Sequence, residues 1–90
     1  MKQPSHKELV KAIKKLIIPH GGGPLGMNGV ADLIGVYRGQ GVAIEVKTGR
    51  DKLTDAQAKF LENWRQAGGI GLEARDVKTV ADELGIAMLL

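Results

Sequence analysis

The run Val30-Ala31-Asp32-Leu33-Ile34-Gly35-Val36-Tyr37, then Arg38-Gly39-Gln40-Gly41, then Val42-Ala43-Ile44-Glu45-Val46-Lys47-Thr48, is two apolar, β-branched segments joined by a short glycine-containing link. That pattern reads as a β-hairpin. Strand side chains alternate between faces, so Val42, Ile44 and Val46 are expected to enter the core while Ala43, Glu45 and Lys47 share the other face. On the partner strand Asp32 interrupts an apolar run, and a carboxylate placed there is costly unless something pairs with it. Two carboxylates and a lysine therefore converge at one sheet edge.

Upstream, Leu9, Val10, Ala12, Ile13 and Leu16 follow helical spacing, with the lysines mostly on the opposite face. Ser5 and Glu8 form the S-x-x-E pattern of a capping box. Ile17, Ile18 and Pro19 are expected as a short extended piece before a glycine-rich loop, Gly21 to Gly29. Downstream, Thr54 opens a helix to about Ala67, with Phe60, Leu61 and Trp64 among its buried positions and Gly68-Gly69 as its stop. Ile70 to Arg75 alternates as a strand. Asp76 caps a last helix to Leu84, ended by Gly85, and Ile86 to Leu90 is an apolar tail. The order is helix, three extended segments, helix, strand, helix, without an internal repeat. It predicts an α/β layer fold in which a mixed sheet packs between helices.

Ninety residues fit one domain spanning residues 1–90. A domain of this size buries only roughly 60–65% of the surface its unfolded chain exposes, and this chain has one Phe, one Trp and one Tyr for its core. The absence of cysteine excludes disulfides, thiolate zinc sites and cysteine nucleophiles. An oligomer interface is then the remaining supplement to a thin core. No signal-peptide or membrane-spanning run is visible, which gives the expectation of a soluble, intracellular protein with no membrane partner. The net charge of +3 is concentrated near the N-terminus, where Lys2, Lys7, Lys11, Lys14 and Lys15 face only Glu8. A basic surplus favours a polyanionic partner such as nucleic acid, though +3 is modest.

Two carboxylates and a backbone carbonyl are hard oxygen ligands suited to Mg²⁺ or Mn²⁺. An ion so held polarises a phosphodiester oxygen and acidifies an attacking water, while a nearby ammonium stabilises developing negative charge. The same three side chains also admit a plain cross-strand salt bridge. Two other strings fail. Gly21-x-Gly23-x-x-Gly26 contains Pro24 and precedes a strand where a dinucleotide fingerprint needs a helix. His20-Gly21-Gly22-Gly23 resembles an esterase oxyanion loop, but Ser5 is the only serine and no nucleophile elbow exists. His6 and His20 are too few to argue for zinc.

The segments Gly29-Val30-Ala31-Asp32-Leu33-Ile34-Gly35, Ala43-Ile44-Glu45-Val46-Lys47-Thr48-Gly49 and Leu53-Thr54-Asp55-Ala56-Gln57-Ala58-Lys59-Phe60 together resemble the virus-type replication-repair nuclease (VRR-NUC) domain. That family belongs to the PD-(D/E)xK, restriction-endonuclease-like superfamily, and the likeness runs from about Ser5 to Arg75. It implies a restriction-endonuclease-like core of helix, three strands, helix and strand, here followed by a C-terminal helix. It implies Asp32 and Glu45 as metal ligands, the Val46 carbonyl as a third, and Lys47 as the catalytic lysine. Gln57 matches the family's helix glutamine, expected to steady the scissile phosphate or the lysine, and Glu8 matches its first-helix acid. The proline before the first aspartate is replaced by Ala31.

Both Gln57 and Glu8 also stand at the third position of capping boxes, Thr54-x-x-Gln57 and Ser5-x-x-Glu8, and the two roles are not easily combined in one side chain. Lys11, Lys14, Lys15, Arg38, Arg50, Lys52 and Lys59 are candidate contacts to a DNA backbone or else a solvated basic face. Arg50 and Lys52, just past the catalytic strand, are the stronger pair. Few aromatics and no recognition helix favour structure over sequence recognition. The expectation is a Mg²⁺- or Mn²⁺-dependent DNA endonuclease of a bacterial or phage-infected cytoplasm. Small stand-alone proteins similar to this are symmetric dimers, which suits a branched substrate such as a four-way (Holliday) junction. The alternatives are a non-catalytic DNA-binding or dimerisation module and a plain nicking enzyme of a phage or mobile element.

Overall fold

Ser5 and Glu8 close the capping box foreseen from their spacing: the Glu8 amide donates to Ser5 Oγ at 3.2 Å and the Ser5 amide to Glu8 Oε1 at 2.9 Å. Helix α1 (His6–Ile17) starts there. The structure, a computed structural model, describes residues 4–23 and 31–87. Lys2, the greater part of the glycine loop, the expected strand start at Val30 and the tail residues 88–90 lie outside the described residues. The remaining elements are β1 (Leu33–Tyr37), β2 (Gln40–Val46), α2 (Asp55–Gln66), β3 (Ile70–Ala74) and α3 (Val77–Leu84).

Two local expectations are corrected. Ile17, Ile18 and Pro19 are not extended: α1 runs through Ile17, and Ile18–His20 form a 3₁₀ turn. The reason is burial, since Ile13 and Ile17 lie one turn apart and both are fully enclosed, which outweighs the β preference of a short isoleucine run. The hairpin link is also shorter than four residues. Tyr37 pairs with Gln40, so only Arg38 and Gly39 turn the chain. Both have positive φ, 48° and 85°, as a type I′ two-residue turn requires.

The sheet order is β1-β2-β3, with β1 antiparallel to β2 and β3 parallel to it. Helix α2 is the crossover that a parallel pair needs. The outer edge of β1 is partly covered by the chain leaving α1, where Gly22 bridges Tyr37 and the Gly23 amide donates to the Val36 carbonyl at 2.8 Å. The two faces of the sheet are covered unequally. One carries the main core, in which Leu9, Ile13 and Ile17 of α1, Val42, Ile44 and Val46 of β2, and Val80 and Ala81 of α3 interlock. The other holds Ala31, Ala43 and Leu61, with Phe60 and Trp64 packed half-buried beside them. The expected burial of all three α2 residues therefore holds fully for Leu61 alone.

Trp64 is held in place by backbone. Its indole donates to the Gly41 carbonyl at 3.0 Å, and a Cβ at Gly69 would sit 2.3 Å from the indole nitrogen. Arg65 donates to the Gly71 carbonyl at 2.8 Å, tying α2 to β3. Asp76 caps α3 through the Thr79 amide at 2.7 Å, and Gly85 ends it in the left-handed conformation. Ile86, the first residue of the apolar tail, folds back into the main core at 7% exposure. Ile86 itself is therefore core and not surface left for a partner, while residues 88–90 of the tail lie outside the described residues.

Candidate functional site

The site is built where β2 ends. Strand alternation delivers Glu45 to the α2 face beside Ala43, while Val42, Ile44 and Val46 fill the main core. Glu45 is the buried charged residue of the sheet, 5% exposed. Helix α2 supplies its partner: Gln57 Nε2 donates to Glu45 Oε1 at 3.0 Å. The same Gln57 accepts from the Thr54 amide through Oε1 at 2.9 Å, and its own amide donates to Thr54 Oγ1 at 3.1 Å. Capping and site duty were expected to compete. An amide side chain has an acceptor end and a donor end, and Gln57 uses one for each.

Asp32 lies just before β1 and faces the same end of the sheet. Its Oδ2 accepts from the Val46 amide at 2.8 Å and lies 3.1 Å from His6 Nε2. Burial pushes the Glu45 carboxyl above its ordinary value, the negative charge of Asp32 and a hydrogen bond between the two carboxyls push it further, and Lys47 pulls the other way. Glu45 thus sits against a neighbouring negative charge, and a positive group between the two acids would relieve that repulsion. Lys47 follows the last residue of β2, its amide bonded to the Ala74 carbonyl at 3.0 Å. The residue is half-buried and its ammonium makes no hydrogen bond or ion pair among the described residues, so the alternative of a plain salt bridge between Lys47 and an acid is not what forms.

Glu8 does not join them. Its carboxylate is exposed, held below its ordinary value by the Ser5 amide of its own cap. His6, two residues earlier, is the α1 side chain that reaches Asp32. The sequence signal for His6 was its place in the first turn of the helix already expected to face the site. Among the described residues no group of three or more His, Asp or Glu forms a metal cluster by itself. The donor set for a hard cation is two carboxylates, a composition that fits Mg²⁺ or Mn²⁺ when backbone and water oxygens complete it.

The basic residues divide by position. Arg50 and Lys52 are exposed in the segment directly after Lys47, and that segment is anchored: Arg75 donates to the carbonyls of Gly49, at 3.3 Å, and Asp51, while pairing with Glu73 at 3.0 Å. Lys59 is exposed on α2, and Lys11 on α1. Lys14 and Lys15 belong to the last turn of α1, and Arg38 to the hairpin turn, where it stacks over Tyr37. With a rise of about 1.5 Å per helical residue, Lys14 and Lys15 stand roughly 12–14 Å along the helix from His6. They and Arg38 mark the end of the molecule opposite the carboxylates. No family model, curated protein or solved structure matches the chain.

Proposed function

We propose that the chain is a metal-dependent DNA endonuclease with a restriction-endonuclease-like core, similar to the virus-type replication-repair nuclease domain. The observation that carries this reading is the pairing of Asp32 and Glu45 at the end of β2, each locked by its own donor, the Val46 amide and the Gln57 side chain. Burying Glu45 beside the partly exposed, like-charged Asp32 costs stability. A divalent cation between them gives that cost a purpose; the observed order, helix, two strands, helix, strand, helix, is one strand short of the proposed core among the described residues.

Asp32, Glu45 and the Val46 carbonyl would hold a magnesium or manganese ion, which would supply positive charge to polarise a phosphodiester oxygen and acidify a water. Gln57 fixes the rotamer of Glu45, and the Val46 amide and His6 fix Asp32. Lys47, without a competing partner, presents its ammonium to charge that develops on the phosphate. Arg50 and Lys52 extend the positive surface along the DNA backbone. Branched DNA, the four-way junction foremost, is the proposed substrate, and a symmetric dimer the proposed working form.

Labelled duplex, nicked, flap and four-way DNAs, incubated with Mg²⁺ or Mn²⁺, test the reading. Cleavage is expected for wild type, and its loss with retained binding for Asp32→Ala, Glu45→Ala and Lys47→Ala. Junction binding without cleavage in either metal would replace the nuclease with a binding module on the same fold. Sedimentation at micromolar concentration decides the dimer, and a monomer removes it.

A further inference from the structure

On the side of the sheet away from α2, α1 and α3 leave a cleft of about 440 Å³ between their first turns and the end of β2. That volume lies within the range of about 300–1,000 Å³ typical of small-molecule sites. Its wall is aliphatic, made by Leu9, Ala12 and Val77, and its rim is formed by Lys47, Thr48 and Gly49. Lys47 therefore belongs both to this cleft and to the neighbourhood of Glu45.

The electrostatics of the rim favour an anion. Among the described residues the one carboxylate lining the cleft, Asp76, is turned onto the Thr79 amide of its own helix, which holds it below its ordinary value. The charge of Arg75 is matched by Glu73, and its guanidinium instead braces the Gly49 and Asp51 carbonyls. The rim is thus a stiffened backbone segment with the Lys47 ammonium left to meet a ligand. An apolar wall against a cationic rim complements a nucleobase carrying a phosphate. A base still paired in a duplex shows its neighbours a stacked face and cannot enter a concave cleft; an unpaired one can.

We propose that this cleft receives one unpaired nucleotide of the DNA strand being cut, with its base against Leu9, Ala12 and Val77 and its phosphate at Lys47. The proposal rests on the nuclease reading, and it names the substrate feature selected: an unpaired nucleotide beside the scissile bond.

Thymidine 5′-monophosphate titrated in EDTA and followed by amide NMR tests the cleft without catalysis. Saturable shifts at Lys47, Thr48 and Gly49 are expected, and they should vanish in Ala12→Phe and Val77→Phe, two fillings from different helices, each confirmed folded by circular dichroism. In cleavage, wild type should prefer a fork with an unpaired nucleotide over a nicked, fully paired duplex by roughly tenfold, the ratio worth one well-buried contact. Ala12→Phe should bring that ratio near one. Absent shifts, shifts that persist in both filled variants, or an unchanged substrate ratio would overturn the proposal even though the enzyme cuts. Nucleotide shifts at the cleft in a protein that cuts nothing would uphold the cleft and count against the nuclease.

Discussion

Gln57→Glu separates the two jobs of Gln57. Glutamate at the third helical position keeps the capping box, so the Thr54 amide retains its acceptor, but the donor that now reaches Glu45 Oε1 at 3.0 Å becomes a carboxylate oxygen. Loss of the charge-assisted bond alone costs about 1.5–3 kcal/mol. Two full charges at that separation repel by about 5 kcal/mol at an effective dielectric of about 20, an upper bound, because the cluster takes up a proton before the whole repulsion develops. The expected net loss at pH 8 in EDTA is about 2–3 kcal/mol, or roughly 10–15 °C in melting temperature for a domain of this size. The difference should shrink as the pH falls and Glu45, held above its ordinary value, takes up its proton, and Mn²⁺ should restore most of it, since the variant offers a third carboxylate. Thermal and urea denaturation of wild type, Gln57→Glu and Gln57→Leu are the assay, the last losing the side-chain half of the capping box together with the tether. A Gln57→Glu protein as stable as wild type at pH 8 in EDTA would refute the Gln57–Glu45 bond; failure of Mn²⁺ to help would leave the bond standing and count against the metal.

Burial and Asp32 hold the Glu45 carboxyl above its ordinary value in the folded state, so the unfolded chain releases this proton first. Its contribution to stability is complete below the ordinary carboxylate value and is lost as pH rises through the raised one. Glu45→Gln should therefore exceed wild type in stability at pH 8 in EDTA, with a flatter pH profile of the urea midpoint; a less stable variant contradicts the assignment. Gly69→Ala should cost about 1–3 kcal/mol, because the added Cβ meets the Trp64 indole at 2.3 Å and the Gly41 carbonyl at 3.0 Å. The single tryptophan reports the displacement by fluorescence, and an unshifted spectrum with unchanged stability would mean the close packing is absent. Ile86→Ala should cost about 2–4 kcal/mol without altering the sedimentation coefficient; a change of oligomeric state at constant stability would return Ile86 to an interface.

Much of the fold was legible because each boundary has its own chemistry. Ser5, Thr54 and Asp76 cap the three helices at the positions their spacing indicated, and Gly85 ends the last. Asp32 and Glu45 could be placed at one end of the sheet because strand alternation is strict. Errors arose where tertiary burial opposed local preference, as at Ile17, and where Arg38 took a left-handed conformation more usual for Asn or Gly. His6 was missed because its contact with Asp32 spans 26 residues, across segments whose relative placement no local pattern encodes. Gln57 was read as an either-or because a string of letters does not show that the two ends of one amide can point to different partners.

The unequal covering of the sheet also has a kinetic side. Helix α1 drives three fully enclosed aliphatic side chains into the main core, whereas α2 commits only Leu61. Elements that bury least are the first to open in sub-global fluctuations, so the amides of α2 should exchange with solvent ahead of those of α1. That makes the Gln57–Glu45 bond a latch as well as a positioning contact: each excursion of α2 withdraws the donor from Glu45, and any ligand that draws the two carboxylates together closes the least secured helix onto the rest of the molecule.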